Sequence, residues 1–350
     1  MRSVGLCLAV ATLGWTFRDT DSSKVGGLLG SLGGACLLIL LPQACALLVE
    51  AAGWRLAFQG MGQRMPLFGL FRVRLATEAL AQTLPLGAVL CESLKPALLK
   101  RTCGAELSTS LAGMAVRKWS LIASQAVYVA GFALLAFPVL SDISESVLGA
   151  QGLPYVLLGA AAFLVLLAFL LFSLLSHGRL ASRSLELLMH VPFLRSRVQT
   201  QRAKVLQADG RLQRFFASGR AVALPLPAFL CGWLIEAAET ALILHLLGVQ
   251  LPWTTVGAVE VSASFVRNLA CVVPAGLGVQ DLSYLAFLRA LAVPDALDVA
   301  AAFLLLKRAK ECFWALVGYL LLAFDLRSTR SLVGTLVEPD PRRAGLSAAP

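Results

Sequence analysis

Five stretches of this chain, residues 26–57, 111–137, 153–175, 222–247 and 299–324, stay apolar for longer than a soluble helix requires. A hydrocarbon core of about 30 Å takes about 20 such residues per helix, so each reads as a full membrane span. Inside lipid, backbone polar groups must be satisfied within the segment, which leaves an all-α, polytopic integral membrane helical bundle. Composition agrees: 58% of residues are hydrophobic, 14% are charged, and the mean hydropathy is +0.78. A soluble domain is nearer half apolar and a quarter charged. The net charge of +10 would suit a nucleic-acid binder, but that class does not carry this hydropathy, so nucleic acid is excluded as a partner.

Two further apolar stretches, residues 67–99 and 256–288, are cut in the middle by proline and glycine. The first reads Leu84-Pro85-Leu86-Gly87 and the second Val273-Pro274-Ala275-Gly276. Each half is short for a span, which predicts a re-entrant helical hairpin that dips in and returns to the same face. Interrupted backbone at membrane depth needs protein or a water-filled cavity to satisfy it. A pair of ordinary kinked helices is the alternative.

Loop charge decides between them. The stretch from Arg55 to Arg74 carries Arg55, Arg64, Arg72 and Arg74 with no acid before Glu78, and Lys100 and Arg101 follow the first hairpin. Residues 177–220 hold nine basic residues against Glu186 and Asp209, whereas 141–146 carry only Asp142 and Glu145. With both hairpins re-entrant and the N-terminus inside, every strongly basic loop falls in the cytoplasm. Both termini are then cytoplasmic. Within the basic loop Leu194, Val198, Val205, Leu212 and Phe216 recur at helical spacing, which predicts an interfacial helix on anionic inner-leaflet lipids. A purely topogenic loop is the alternative.

An offset of 189 aligns Pro85 with Pro274 and Gly87 with Gly276. It also pairs Glu50 with Glu239, Glu92 with Asp281, Lys100 with Arg289, Glu106 with Asp295 and Lys118 with Lys307. Those are five charge-matched pairs over 69 positions, where composition predicts fewer than one. Glu78 against Arg267 is a mismatch. The single domain of residues 1–330 is therefore read as two repeats, about 26–137 and about 222–326. Between them lie a linker helix (153–175) and the basic loop (177–221), and a solvated tail occupies 331–350. Three crossings separate the repeats, so they are expected to be inverted, an arrangement that places a transporter's site near the midplane.

Charged residues inside the spans mark that site, because each costs on the order of 3 kcal/mol at the bilayer centre. Arg117-Lys118 and Lys307-Arg308-Ala309-Lys310-Glu311 follow the two hairpins, with Lys307 and Glu311 spaced to pair at i, i+4. Glu92 and Asp281 each lie seven residues beyond a proline, and Glu50, Glu236, Glu239 and Glu260 complete the acidic set. Cations facing half-helix N-termini suit a phosphate. Internal ion pairs that hold broken helices together are the alternative.

The eight cysteines form no CxxC pair, the three histidines lie far apart, and no HExxH, GxSxG or GxxxxGK[ST] string occurs. No cofactor, metal or catalytic residue is therefore expected. Residues 4–17 read as a short first span or signal anchor.

The string Pro274-Ala275-Gly276-Leu277-Gly278-Val279-Gln280-Asp281, with Leu306-Lys307-Arg308 after it, resembles the flippase-like transmembrane region of bacterial lysylphosphatidylglycerol synthases and its stand-alone relatives, some from hopanoid gene clusters. That family's pattern is approximately P-x-G-L-G-x-R-E, followed by a basic residue in the next helix. Gln280 stands here for the usual Arg and Asp281 for Glu, so the role of that Arg does not carry over. The resemblance implies a lipid-translocating domain without aminoacylation, which belongs to a separate soluble domain. The expected function is transbilayer movement of a lipid with an anionic or phosphate-containing headgroup. The headgroup would be held by Arg117, Lys118, Lys307 and Arg308 near Pro85, Gly87, Glu92, Pro274, Gly276, Gly278 and Asp281. A membrane-embedded transferase, or a scaffold in lipid biosynthesis, is the alternative. A second copy of the chain or a lipid-biosynthetic enzyme would be a further partner.

Overall fold

The computed structural model describes residues 20–83, 87–177, 195–269 and 278–337, together with Gly14 and Arg18. Every regular element among them is helical. Helix α1 (Ser22–Leu32) continues through a 3-10 segment (Gly33–Ile39) into α2 (Leu40–Gly60). Next come α3 (Leu67–Thr83), α4 (Gly87–Cys103), α5 (Leu107–Leu135), α6 (Phe137–Leu148) and α7 (Leu153–Ser176). The second half follows with α8 (Arg195–Ala217), α9 (Gly219–Ala223), α10 (Leu226–Leu246), α11 (Trp253–Leu269), α12 (Val279–Ala290) and α13 (Ala296–Val337).

Four helical stretches are long and apolar enough to cross a membrane: Ser22–Gly60, Leu107–Leu135, Leu153–Ser176 and Gly219–Leu246. They coincide with four of the five expected spans. The fifth lies within α13, where Lys307, Arg308, Lys310 and Glu311 interrupt the apolar run. The first span is not one regular helix. Asp21 caps α1 by accepting from the Ser23 and Lys24 amides, but α1 stops at Leu32. Gly26, Gly27, Gly30, Gly33 and Gly34 crowd this stretch, and each helix-interior glycine costs about 1 kcal/mol relative to alanine. Helix α13 is described through Val337, into the stretch expected as a tail at 331–350. Residues 338–350 lie outside the described residues, as does nearly all of the expected first span at 4–17.

In the two stretches expected to be interrupted, the described residues are helical over Leu67–Thr83 and Gly87–Cys103 in the first and over Trp253–Leu269 and Val279–Ala290 in the second. The thiol of Cys91 donates to the Thr77 carbonyl at 3.1 Å, and Gly69 lies against Cys103. Those pairings run α3 and α4 antiparallel. Pro85, Pro274 and Gly276 lie outside the described residues.

Contacts define two ends of the bundle. At one end Gly60 meets Phe215 and Ala221, Arg211 meets Glu106, and Gln213 donates to the His177 carbonyl. At the other, Lys24 pairs with Asp295 at 2.9 Å, Phe132 lies edge-on to Trp253, and Ser144 accepts from the Leu153 amide. The open ends of α3 and α4 belong to the first group and those of α11 and α12 to the second.

The halves interlock. Helix α2 packs along α10, α3 against α13, and α5 against α11. The last two contacts exchange when the halves are exchanged, and a glycine brings each pair together. A Cβ at Gly318 would fall 2.6 Å from the Ala79 methyl and 2.8 Å from the Leu75 carbonyl. At Gly257 it would fall 1.9 Å from the Phe132 ring, so neither position has room for a side chain without moving its neighbour.

Helix α8 differs from a helix simply resting on a lipid surface. Ala208, Leu212, Phe215 and Phe216 are buried, and Phe216 sits edge-on to Trp119 and Phe172. Its C-terminal half is docked in protein because these aromatics find a deeper apolar partner in α5 and α7 than an interface offers.

Candidate functional site

Between the halves lies a cavity of about 70 Å³ whose wall is almost entirely polar. Water occupies about 30 Å³ in the liquid, so the space takes roughly two molecules. Six carboxylates, Glu50, Glu78, Glu236, Glu239, Glu260 and Glu311, line it beside four cations, Arg74, Arg267, Lys307 and Lys310. They come from α2, α3, α10, α11 and α13, so neither half builds the cavity alone.

On the first half's side, Glu50 of α2 is buried and one of its oxygens accepts from two guanidiniums. Arg74 of α3 donates at 2.7 Å and Arg117 of α5 at 3.0 Å. Arg74 also bonds Glu78 one turn on, and Gln82 donates to Glu78 at 3.1 Å. The Arg117 guanidinium additionally lies 5.5 Å from the Trp54 ring, a cation–π contact. Farther along, Lys95 donates to Glu92 at 2.6 Å.

On the second half's side, Glu260 of α11 is the hub. One carboxylate oxygen accepts from Thr240 at 2.6 Å and Tyr284 at 2.8 Å, with the Lys307 ammonium at 3.4 Å. Lys307 also donates to the Tyr284 hydroxyl at 2.5 Å and lies 4.5 Å from that ring. Lys310 donates to Glu239 at 2.6 Å and to Gln43 of the first half at 3.2 Å. Glu236 has a looser contact, 3.8 Å from Arg267. Arg308 bridges Asp281 and Glu311, each at 2.6 Å, and Asp281 also accepts the Gly278 amide at 3.0 Å, capping α12.

The sequence of the chain matches the lysylphosphatidylglycerol synthase TM region family over residues 2–310. The chain belongs to this family. It is a multi-pass membrane protein, and the family match runs from the N-terminus through Lys310, ending inside the charged segment of α13. No curated protein matches it.

In this lysylphosphatidylglycerol synthase TM family member, the residues expected to form a site divide three ways. Lys307 lines the cavity, while Arg117 and Arg308 touch it through their carboxylate partners Glu50 and Glu311. Lys118, although matched to Lys307 in the repeat, is exposed and does not line it. Glu92 is half-buried against Lys95, whereas Asp281 is buried and held by Arg308. Gly87 begins α4 and Gly278 precedes α12, while Pro85, Pro274 and Gly276 lie outside the described residues. Lys307 does not pair with Glu311 one turn away. Glu311 takes Arg308 instead, because Lys307 faces Glu260 and Tyr284.

Several cavity groups were not singled out from the sequence. Arg74 was counted only as loop charge, yet it lies in the second turn of α3 against Glu50. Glu78 and Arg267, the charge mismatch of the repeat, both line the cavity. Thr240, Tyr284 and Gln43 carry no sequence pattern that distinguishes them from structural polar residues. Among the described residues no group of three or more His, Cys, Asp or Glu could hold a metal ion, and the six described cysteines are free thiols.

Proposed function

We propose that this protein moves a lipid headgroup across the bilayer of a bacterial cytoplasmic membrane, through a polar seam between two inverted repeats. One observation carries the reading: an ion-paired cavity built jointly by both halves within an otherwise apolar bundle. Buried charge is expensive in such a setting and is retained where a polar substrate must pass. The inverted relation is supported by the interrupted pairs opening toward opposite ends, and by the reciprocal packing of α3 on α13 and α11 on α5. Re-entrant hairpins with both termini cytoplasmic fit the same arrangement, since the basic 55–74 and 211–220 segments then share one side.

The cavity as it stands is too small for a headgroup, so passage requires the halves to part. The cations around it are held by carboxylates, and a headgroup phosphate would take over donors from Lys307, Arg308 or Arg117 as those pairs exchange. Arg–phosphate pairing resembles Arg–carboxylate pairing in strength and geometry, so such an exchange is nearly balanced. The process is transport and makes no covalent bond.

The test is lipid movement in liposomes containing the purified protein and a fluorescent phospholipid. Lys307→Met and Glu260→Gln should each slow transbilayer movement by about tenfold or more, the equivalent of one lost charged contact, while the protein stays monodisperse in detergent. Wild-type rates in both variants would refute the reading. Lipid mass spectrometry of a deletion strain separates transport from chemistry: a lipid species missing outright would point to a transferase instead.

A further inference from the structure

A second cavity, of about 640 Å³, lies between α1 and α13. It falls within the roughly 300–1,000 Å³ typical of small-molecule sites. On α13 its wall is a helical stripe, Ala301, Leu304 and Leu305, that leads one turn on to Arg308. On α1 it is Val25, Gly26 and Leu29, and the chain ahead of them contributes Arg18, Thr20 and Ser22. The groove thus joins an apolar length to two guanidiniums and two hydroxyls, against the single carboxylate of Asp281.

Arg308 is common to this groove and the central cavity. One of its nitrogens donates to Asp281, which lines the groove, and another to Glu311, which lines the cavity. A single side chain therefore forms part of the partition between them. A soluble phosphate compound would leave the leucine stripe unused, and a neutral lipid would leave the arginines unused. A phospholipid uses both, with its phosphate in the fork geometry that guanidinium favours.

We propose that the groove between α1 and α13 holds one phospholipid, its acyl chain along Ala301–Leu305 and its phosphate at Arg308, and that Arg308 is the partition its headgroup crosses to reach the central cavity. The binding site stands on the groove alone, whereas the crossing rests on the translocation reading above.

The experiment uses the full-length protein in liposomes containing trace phosphatidylglycerol with a diazirine on one acyl chain, or the matching diacylglycerol, which lacks the phosphate. Cross-linked peptides are identified by mass spectrometry, and lipid movement is followed in parallel. Gly26 lines the groove and a Cβ there would meet nothing within 4 Å, so Gly26→Phe is chosen to project a ring into the groove. Gly27→Phe, one residue on, lines a different pocket and serves as the control. Phosphatidylglycerol should cross-link to α1 and α13, about tenfold less in Gly26→Phe, with Gly27→Phe unchanged; tenfold corresponds to one well-made contact. Arg308→Gln should weaken phosphatidylglycerol labelling by a similar factor and leave diacylglycerol labelling as it was. Labelling elsewhere, or undiminished in Gly26→Phe, would overturn the site. If the wild-type protein moves lipid and Gly26→Phe moves it equally fast, the groove is not the route, although translocation stands. If labelling behaves as expected but the wild-type protein moves no lipid, the site stands and the translocation reading fails.

Discussion

Glu50 and Glu239 are paired by the 189-residue sequence offset, yet their surroundings differ in kind. Each sits on the helix before an interrupted pair and meets a cation from the helix after it, Arg117 at 3.0 Å in the first half and Lys310 at 2.6 Å in the second. The first half adds a second guanidinium, Arg74, on the same oxygen. At the matching position the second half has Ala263. It puts its charge one turn earlier on the same face, in Glu260, and surrounds that carboxylate with hydroxyls and a lysine. Arginine is a rigid fork that stays charged, whereas lysine is a point charge on a flexible stem that can change partners. The first half therefore reads as a clamp and the second as the part able to exchange ligands.

The largest effect expected from this contrast is at the clamp. Glu50→Gln takes the carboxylate from the buried Arg117 and leaves Arg74 with Glu78 alone, and breaking a buried pair in this way costs about 3–5 kcal/mol. Glu239→Gln removes the partner of only one cation, and Lys310 keeps its bond to Gln43 at 3.2 Å, so its cost should be clearly smaller. Unfolding of the purified variants in detergent measures both. Equal destabilisation would erase the distinction between clamp and exchanger.

How far this contrast could be read from the sequence depends on which residues had a pattern to follow. The helical class and four of the spans follow from apolar run length, because that feature acts locally. The acids Glu50, Glu236, Glu239 and Glu260 stood out since charge inside an apolar run is rare. Arg74 was hidden by its neighbours: beside Arg55, Arg64 and Arg72 it looks like one more loop cation, and only the fold brings it to Glu50. Thr240 was invisible because a threonine hydroxyl in a helix commonly bonds its own backbone, and Tyr284 because a tyrosine in an apolar helix looks like a core aromatic. The glycine-rich break between α1 and α2 was legible in composition but was outweighed by the apolar count.

A middle-sized effect should come from the exchanging half. Lys307→Met leaves Glu260 with the hydroxyls of Thr240 and Tyr284, so destabilisation should be about 1–3 kcal/mol, below that of Glu50→Gln. Because Lys307, Tyr284 and Glu260 share one network, a double-mutant cycle of Lys307→Met with Tyr284→Phe should show a coupling of about 0.5–3 kcal/mol. Additive effects would mean that Lys307 stands apart from the hydroxyl cage, and the comparison would then rest on Arg74 alone.

The smallest effect sharpens the contrast at the edge of the first half, where α8 docks. Arg211 bonds Thr109 and lies 3.3 Å from Glu106, whose side chain is 72% exposed. An exposed pair of that kind contributes under about 1 kcal/mol. The docking instead rests on Phe215 and Phe216, buried against the cluster that contains Trp119 and Phe172. Glu106→Ala should therefore leave hydrogen exchange of α8 near the wild-type rate, whereas Phe215→Ala, at about 3–5 kcal/mol, should release the helix. If Glu106→Ala alone frees α8, electrostatics hold the first half's edge as well as its centre, and the clamp extends from Glu50 out to the loop.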